Sequence, residues 1–171
     1  MVLEGIGKIL EKCGNTLQVT RGLCSRYRSS KSACAACVEA CPVPGAVAVG
    51  EDGVTVADSC VACGACVSAC PNGAIQPAES DRALAGRMRD LVRREEPFRI
   101  ACSRAEAAAD LEVACLSRLT EALLLEPVRW GAGRVEIVSP DCSACSLQKA
   151  MQQWEKVPVL ARLLCDSAGV D

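Results

Sequence analysis

Eight cysteines in the first half of the chain fall into two copies of one pattern. Cys34, Cys37 and Cys41-Pro42 form C-x2-C-x3-C-P. Cys60, Cys63, Cys66 and Cys70-Pro71 form C-x2-C-x2-C-x3-C-P, and the eighth, Cys24, lies upstream of the first copy. Gaps this short set three thiolates around one face of a cube-shaped cluster, while the cysteine before proline points toward a second cluster. Two such runs in tandem imply two [4Fe–4S] centres, and with them electron transfer rather than bond-making on a substrate.

The copies align residue by residue. Cys34-Ala-Ala-Cys37-Val-Glu-Ala-Cys41-Pro42 matches Cys63-Gly-Ala-Cys66-Val-Ser-Ala-Cys70-Pro71 at an offset of 29, with one extra residue before Gly45 relative to Gly73. A two-copy repeat of this length implies a pseudo-twofold unit rather than a solenoid. On these motifs, residues 16–78 resemble the bacterial two-cluster ferredoxin family. The resemblance implies an α+β ferredoxin-like fold of two ββα-like halves, each lending its pre-proline cysteine to the other half's cluster. Carried over, Cys41, Cys60, Cys63 and Cys66 hold one cluster, and Cys34, Cys37 and Cys70 hold most of the other.

The first copy departs from the pattern at one place. The counterpart of Cys60 is Lys31, a poor iron ligand because it is protonated near neutral pH and lacks the softness of a thiolate. Cys24 replaces it if residues 16–24 run as a strand past the cluster and residues 25–32 loop back. The alternatives are a three-iron centre on three cysteines, or Cys13, from which Gly14 and Asn15 turn the chain away.

The second half carries Cys102, Cys115, Cys142 and Cys145, and the pattern around them sets where they meet. Residues 98–102, 111–116 and 135–139 read as strands. Residues 119–125, extended toward Trp130 past Pro127, read as a helix, followed by helices over 143–156 and 158–168. Strands alternating with helices predict a small α/β unit with a short parallel sheet, whose ligands sit at the strand C-termini. Those ends carry the four cysteines, so a third metal centre is expected there. Free cysteine also behaves as a small buried hydrophobe, which is the reading for Cys165 on the last helix.

The second half also resembles the iron–sulfur delta subunit of methyl-viologen-reducing hydrogenases. The residues are Ile100-Ala101-Cys102, Val113-Ala114-Cys115-Leu116-Ser117-Arg118-Leu119, and the run from Gly131 to Val138 leading to Asp141-Cys142-Ser143-Ala144-Cys145. This resemblance implies a [2Fe–2S] cluster, with [4Fe–4S] and zinc as fallbacks. Ser103 and Ser146 stand near positions where that family has a cysteine and a histidine.

The elements between these motifs divide the chain into an N-terminal helix over 1–15, the ferredoxin-like unit over 16–78, a linker helix over 79–97 and the α/β unit over 98–171. Ser80 is the expected N-cap of the linker helix, predicted over 81–96 with Leu84, Met88, Leu91 and Val92 on one stripe. Arg82, Arg87, Arg89, Arg93 and Arg94 occupy its other faces, as a solvated surface or a docking patch for an acidic partner.

Composition narrows the chemistry. There is no histidine, which excludes Rieske ligation and histidine-bound haem and removes the commonest general base. Net charge is −2 and aromatics are 2 %, which disfavours nucleic-acid binding. A disulfide scaffold fits poorly, because no secretory signal is visible and C-x2-C pairs favour metal ligation. The N-terminal segment is too short and too charged to span a bilayer, so the expected setting is cytoplasmic and anaerobic.

No nucleotide loop is present, so a flavin, molybdenum, tungsten or hydrogenase-type centre has to come from a partner. The expected role is a non-catalytic electron-transfer subunit of an oxidoreductase complex. The alternatives are a dithiol/disulfide redox enzyme using Cys142 and Cys145, or an iron–sulfur redox sensor.

Overall fold

Two antiparallel pairings frame the cysteine repeat. Strand β1 (Gln18–Val19) pairs with β4 (Ile75–Gln76), Gln18 opposite Gln76 and Val19 opposite Ile75, so the beginning and end of the repeat close on each other. Between them, β2 (Val47–Gly50) and β3 (Gly53–Val56) form a hairpin with Val47 opposite Val56. This arrangement comes from a computed structural model that describes residues 17–51 and 53–169.

Short helices carry the thiols: α1 (Ser25–Arg28), α2 (Ala36–Ala40) and α3 (Ala65–Ser68). Helices α2 and α3 occupy matching places in the two copies. Each stops short of a Cys-Pro pair, since proline cannot donate the next helical hydrogen bond. Gly45 and Gly73 then adopt positive φ of 75° and 59°, which turns the chain inward. The residues that follow, Ala46-Val47 and Ala74-Ile75, are all at most 3 % exposed. The repeat in sequence is thus a repeat in backbone path.

The expected strand over 16–24 is far shorter than its pattern suggested. After Val19 the chain turns, and residues 25–28 coil as α1 instead of looping back. The turn has a packing reason. It places Tyr27 against the hairpin, where its hydroxyl donates to the Val54 carbonyl at 3.4 Å.

Helix α4 (Asp81–Leu91) begins at Ser80, whose hydroxyl accepts from the Ala83 N–H at 3.2 Å. Leu84 and Met88 face inward. The helix ends at Leu91 rather than at residue 96. Glu95 takes a φ of +65° and its N–H bonds the Gly131 carbonyl at 2.8 Å, so residues 93–96 turn into the next strand.

Strands β5 (Pro97–Cys102), β6 (Leu111–Val113) and β7 (Arg134–Val138) make a three-stranded parallel sheet in the order β6-β5-β7. Ile100 lies opposite both Leu111 and Ile137. Strands and helices do not alternate strictly. Residues 103–110 connect β5 to β6 as a loop, held by an Arg99 N–H donating to the Asp110 carboxylate at 2.8 Å. Strand β6 stops at Val113, and residues 116–118 form a single 3-10 turn before α5 (Glu121–Arg129). Thr120 caps α5, and Pro127 sits inside it without ending it.

The expected helix over 143–156 is broken. Residues 142–144 and 148–150 form separate 3-10 turns, and only α6 (Met151–Trp154) is α-helical before α7 (Lys156–Ala168). The cause is local competition for the backbone. Asp141 accepts the Ser143 N–H at 2.8 Å, and the Leu147 N–H turns toward Cys145 Sγ at 3.4 Å.

The two halves have different cores. In the second, Phe98, Ile100, Leu84, Met88, Leu111, Leu116, Leu119 and Val157 are all but fully buried. In the first, the buried cluster consists of Cys24, Cys37 and Cys66 with residues no larger than leucine or isoleucine. A core so poor in large side chains gains little from apolar burial, which is the condition under which metal crosslinks supply stability.

Candidate metal centres

The structure gathers twelve of the cysteines into three sets of four, each around its own recess. The first set is Cys24, Cys34, Cys37 and Cys70, lining one recess together with Ala74 and Ile75. Cys24 enters because the turn after β1 brings its backbone in. Cys37 rides on α2, and Cys70 comes from the other copy. The Ala74 N–H points at Cys70 Sγ at 3.3 Å, a donor aimed where a ligand sulfur would carry charge. Burial pushes the Cys37 thiol above its ordinary range; the N–H groups of Cys37 and Val38 oppose this, while Cys34 and Cys70 add to it. Lys31 is exposed and lines neither recess of this half.

The second set is Cys41, Cys60, Cys63 and Cys66, lining a second recess. Here Cys41 crosses from the first copy, as Cys70 crosses from the second. Burial, reinforced by Cys63, Cys60 and Cys41, pushes the Cys66 thiol up to about 12. Cys63 is raised as well, by burial first and then by Cys115, Cys41 and Cys60, against the Ala65 N–H.

The third set is Cys102, Cys115, Cys142 and Cys145, lining a recess at the C-terminal edge of the parallel sheet. Cys102 ends β5, Cys115 follows β6 by two residues, and Cys142 and Cys145 bracket the turn after β7. Several donors surround their sulfurs. The Arg104 N–H reaches Cys102 at 3.4 Å, Arg104 Nη1 reaches Cys145 at 3.0 Å, and the Ser117 hydroxyl lies 3.2 Å from Cys115. The Cys142 thiol is pushed up, by burial and then by Cys102, Cys145, Cys115 and Asp141.

Every described cysteine is a free thiol. Among the described residues, no three cysteine or carboxylate side chains come close enough to hold a single metal ion. Four thiolates on zinc at about 2.3 Å would form a tight tetrahedron. The sets are wider cages than that. Four soft thiolates are nonetheless the donor set that iron–sulfur clusters take.

Residues 54–76 match the 4Fe-4S binding domain family. The matched stretch holds Cys60, Cys63, Cys66 and Cys70, and it supports at least one [4Fe–4S] cluster and an iron–sulfur role in electron transfer. No curated protein and no solved structure matches the chain at a significant level.

Three further residues surround these sites. Arg104 gives two kinds of donor to the third set and also bonds the Ser146 hydroxyl at 3.3 Å. Ser117 and Arg118 are buried where the halves meet. Ser68 Oγ donates to the Ser117 carbonyl at 2.6 Å, and Arg118 Nη2 pairs with Asp81 at 2.6 Å and donates to the Glu79 carbonyl at 3.2 Å. The signals for them in the sequence were proximity to Cys102 and Cys115 and, for Ser117 and Arg118, a place in the run from Val113 to Leu119; neither gave them a role.

Cys13 and the N-terminal helix lie outside the described residues. Cys165 is only half-buried and lines none of the three recesses. Arg87, Arg89 and Arg93 pair with Glu79, Asp90 and Glu96, so those arginines are engaged on their own surface. No helix among the described residues is long and apolar enough to cross a membrane.

Proposed function

We propose that this chain is an electron-transfer subunit carrying two [4Fe–4S] centres in residues 16–78 and a third iron–sulfur centre, [2Fe–2S], at the sheet edge of the second half. In this reading Cys24, Cys34, Cys37 and Cys70 ligate the first cluster, and Cys41, Cys60, Cys63 and Cys66 ligate the second. Cys102, Cys115, Cys142 and Cys145 ligate the third. The observation that carries it is the sorting of twelve thiols into three four-cysteine recesses within one chain.

Each group, when bound, supplies a one-electron redox couple. The chain's own part is to bury the sulfurs, to aim N–H and O–H donors at them, and to exclude water, which together set the potential. The partner is an oxidoreductase subunit of flavin, molybdenum/tungsten or hydrogenase type, since no nucleotide loop is present here.

Anaerobic purification of the full chain, with iron and acid-labile sulfide counts and EPR of the reduced protein, tests the reading. Two four-iron signals and one further signal are expected. Two four-iron signals with iron and sulfide counts for two clusters only would remove the third centre. Ready modification of Cys142 and Cys145 by thiol reagents in the reduced holoprotein would return the dithiol reading.

A further inference from the structure

We propose that Ser117 joins the second and third sites as direct redox neighbours, so that electrons pass along the chain in the order first, second, third site or the reverse. This rests on the third centre proposed above.

The geometry is specific. Ser117 is fully buried, and its hydroxyl oxygen stands 3.2 Å from the Cys63 carbonyl and 3.2 Å from Cys115 Sγ. One hydroxyl therefore spans the gap between a ligand of the second site and a ligand of the third. Its own carbonyl is fixed by Ser68, which lies two residues beyond Cys66 on α3. Cys63, Cys115, Ala65 and Ala150 form one small buried cluster, with Ala40 and Leu147 packed on it. No cysteine of the first site belongs to that cluster. The first site meets the second instead, through Cys37 and Cys66 in a shared core. The sequence of contacts is linear, with the second site in the middle.

The chemistry follows from a single mobile proton. The Ser117 hydroxyl can point to the Cys63 carbonyl or to the Cys115 sulfur. A hydrogen bond to a ligand thiolate favours the reduced, more negative state of its centre and raises its potential. Reduction of the third site thus draws the hydroxyl toward Cys115. With both sites occupied, an electron passing between them would oxidise the second by one and reduce the third by one. No bond to a ligand forms or breaks, and the serine proton stays on its oxygen. Ser117 is a positioning residue, because it acts through Cys115 and Cys63.

The test uses the full chain, loaded and reduced anaerobically, with three measurements. Iron and sulfide counts establish whether the third centre is present. EPR of the wild type at full reduction reads magnetic interaction between the third centre and a four-iron centre. EPR-monitored redox titration compares wild type with Ser117→Ala and Ser117→Thr.

The expected results are a third signal split or broadened by its neighbour, and a potential lowered at the third site in Ser117→Ala. The first-site potential should be unchanged, and Ser117→Thr should restore the value. A third centre that is counted but gives an isolated signal overturns the proposal, even if the alanine variant fails to load. An unshifted titration in a loaded Ser117→Ala overturns it as well, as does a threonine variant that shifts as far as alanine. Counts that show no third centre sink the reading of that centre and this proposal with it, and the counts tell the two failures apart.

Discussion

Arg118 lies so close over Gly64 that a Cβ added to the glycine would come within 2.5 Å of Arg118 Cδ and 2.8 Å of its Cα. Gly64 sits between the ligand candidates Cys63 and Cys66, and its φ of +81° is one that side chains rarely adopt. The loop around the second site and the buried arginine of the second half therefore need each other's shape. Gly64→Ala should cost about 1–3 kcal/mol from backbone strain alone, with the backbone clash added to it. Gly86, inside α4, has open space within 4 Å of where a Cβ would stand; Gly86→Ala should instead stabilise by about 0.5–1 kcal/mol. Anaerobic thermal unfolding of the two holoprotein variants checks both signs, and equal behaviour would show that the seam does not depend on this contact.

Cys24 should be the fourth ligand of the first site. It lines the same recess as Cys34, Cys37 and Cys70, and serine is a harder, weaker donor for iron. Cys24→Ser should convert one four-iron centre to a three-iron centre or lose it, read by EPR of the oxidised protein. Cys13→Ser should leave both four-iron signals unchanged. The reverse pattern would transfer the ligand to Cys13 and leave Cys24 as a buried hydrophobe.

The sequence carried the thiol sets more clearly than the elements that hold them. Spacing before Pro42 and Pro71 is a local signal, so the exchange of Cys41 and Cys70 between copies could be read from a known family pattern. The sheet edge was legible because Phe98, Ile100 and Ile137 mark strands by apolar character. The long helix expected over 143–156 was not, because Leu147, Met151 and Trp154 have helical spacing while Asp141 and Cys145 divert the backbone N–H groups. Helix α1 was missed for a related reason: Tyr27 coils the chain to reach Val54, a contact of long sequence separation. Arg104, Ser117 and Arg118 act through tertiary contacts that no spacing encodes.

The metal-free protein should lose stability at alkaline pH. Burial raises Cys37 and Cys63 above the ordinary thiol value of 9.0 and pushes Cys66 to about 12. The raised folded-state values set the sign. Below about pH 9 folded and unfolded thiols are both protonated; above it the unfolded chain ionises while the folded chain does not, so stability falls as pH rises toward the folded values. Each such thiol steepens that fall within its own window. Denaturant midpoints of reduced apoprotein should therefore fall between about pH 8 and about pH 10, whereas holoprotein, whose ligand sulfurs are thiolates throughout, should stay level. A level apoprotein profile would mean that these thiols are open to water.

Arg104 should tune the third site. Its Nη1 donates to Cys145 Sγ at 3.0 Å and its backbone N–H to Cys102 Sγ at 3.4 Å, so one residue serves two of the four sulfurs. A guanidinium beside a ligand thiolate favours the state with the extra electron, by charge and by hydrogen bond together. Arg104→Ala should lower the potential of the third centre, and Arg104→Gln, which keeps a donor but not the charge, should lower it less. The first site, whose recess Arg104 does not line, should titrate as in wild type. Because the side chain is exposed, the charge contribution should also shrink as salt rises. EPR-monitored redox titration at low and high salt separates the two contributions: a shift that survives salt belongs to the hydrogen bond, and no shift in either variant would leave Arg104 as a surface residue holding Ser146.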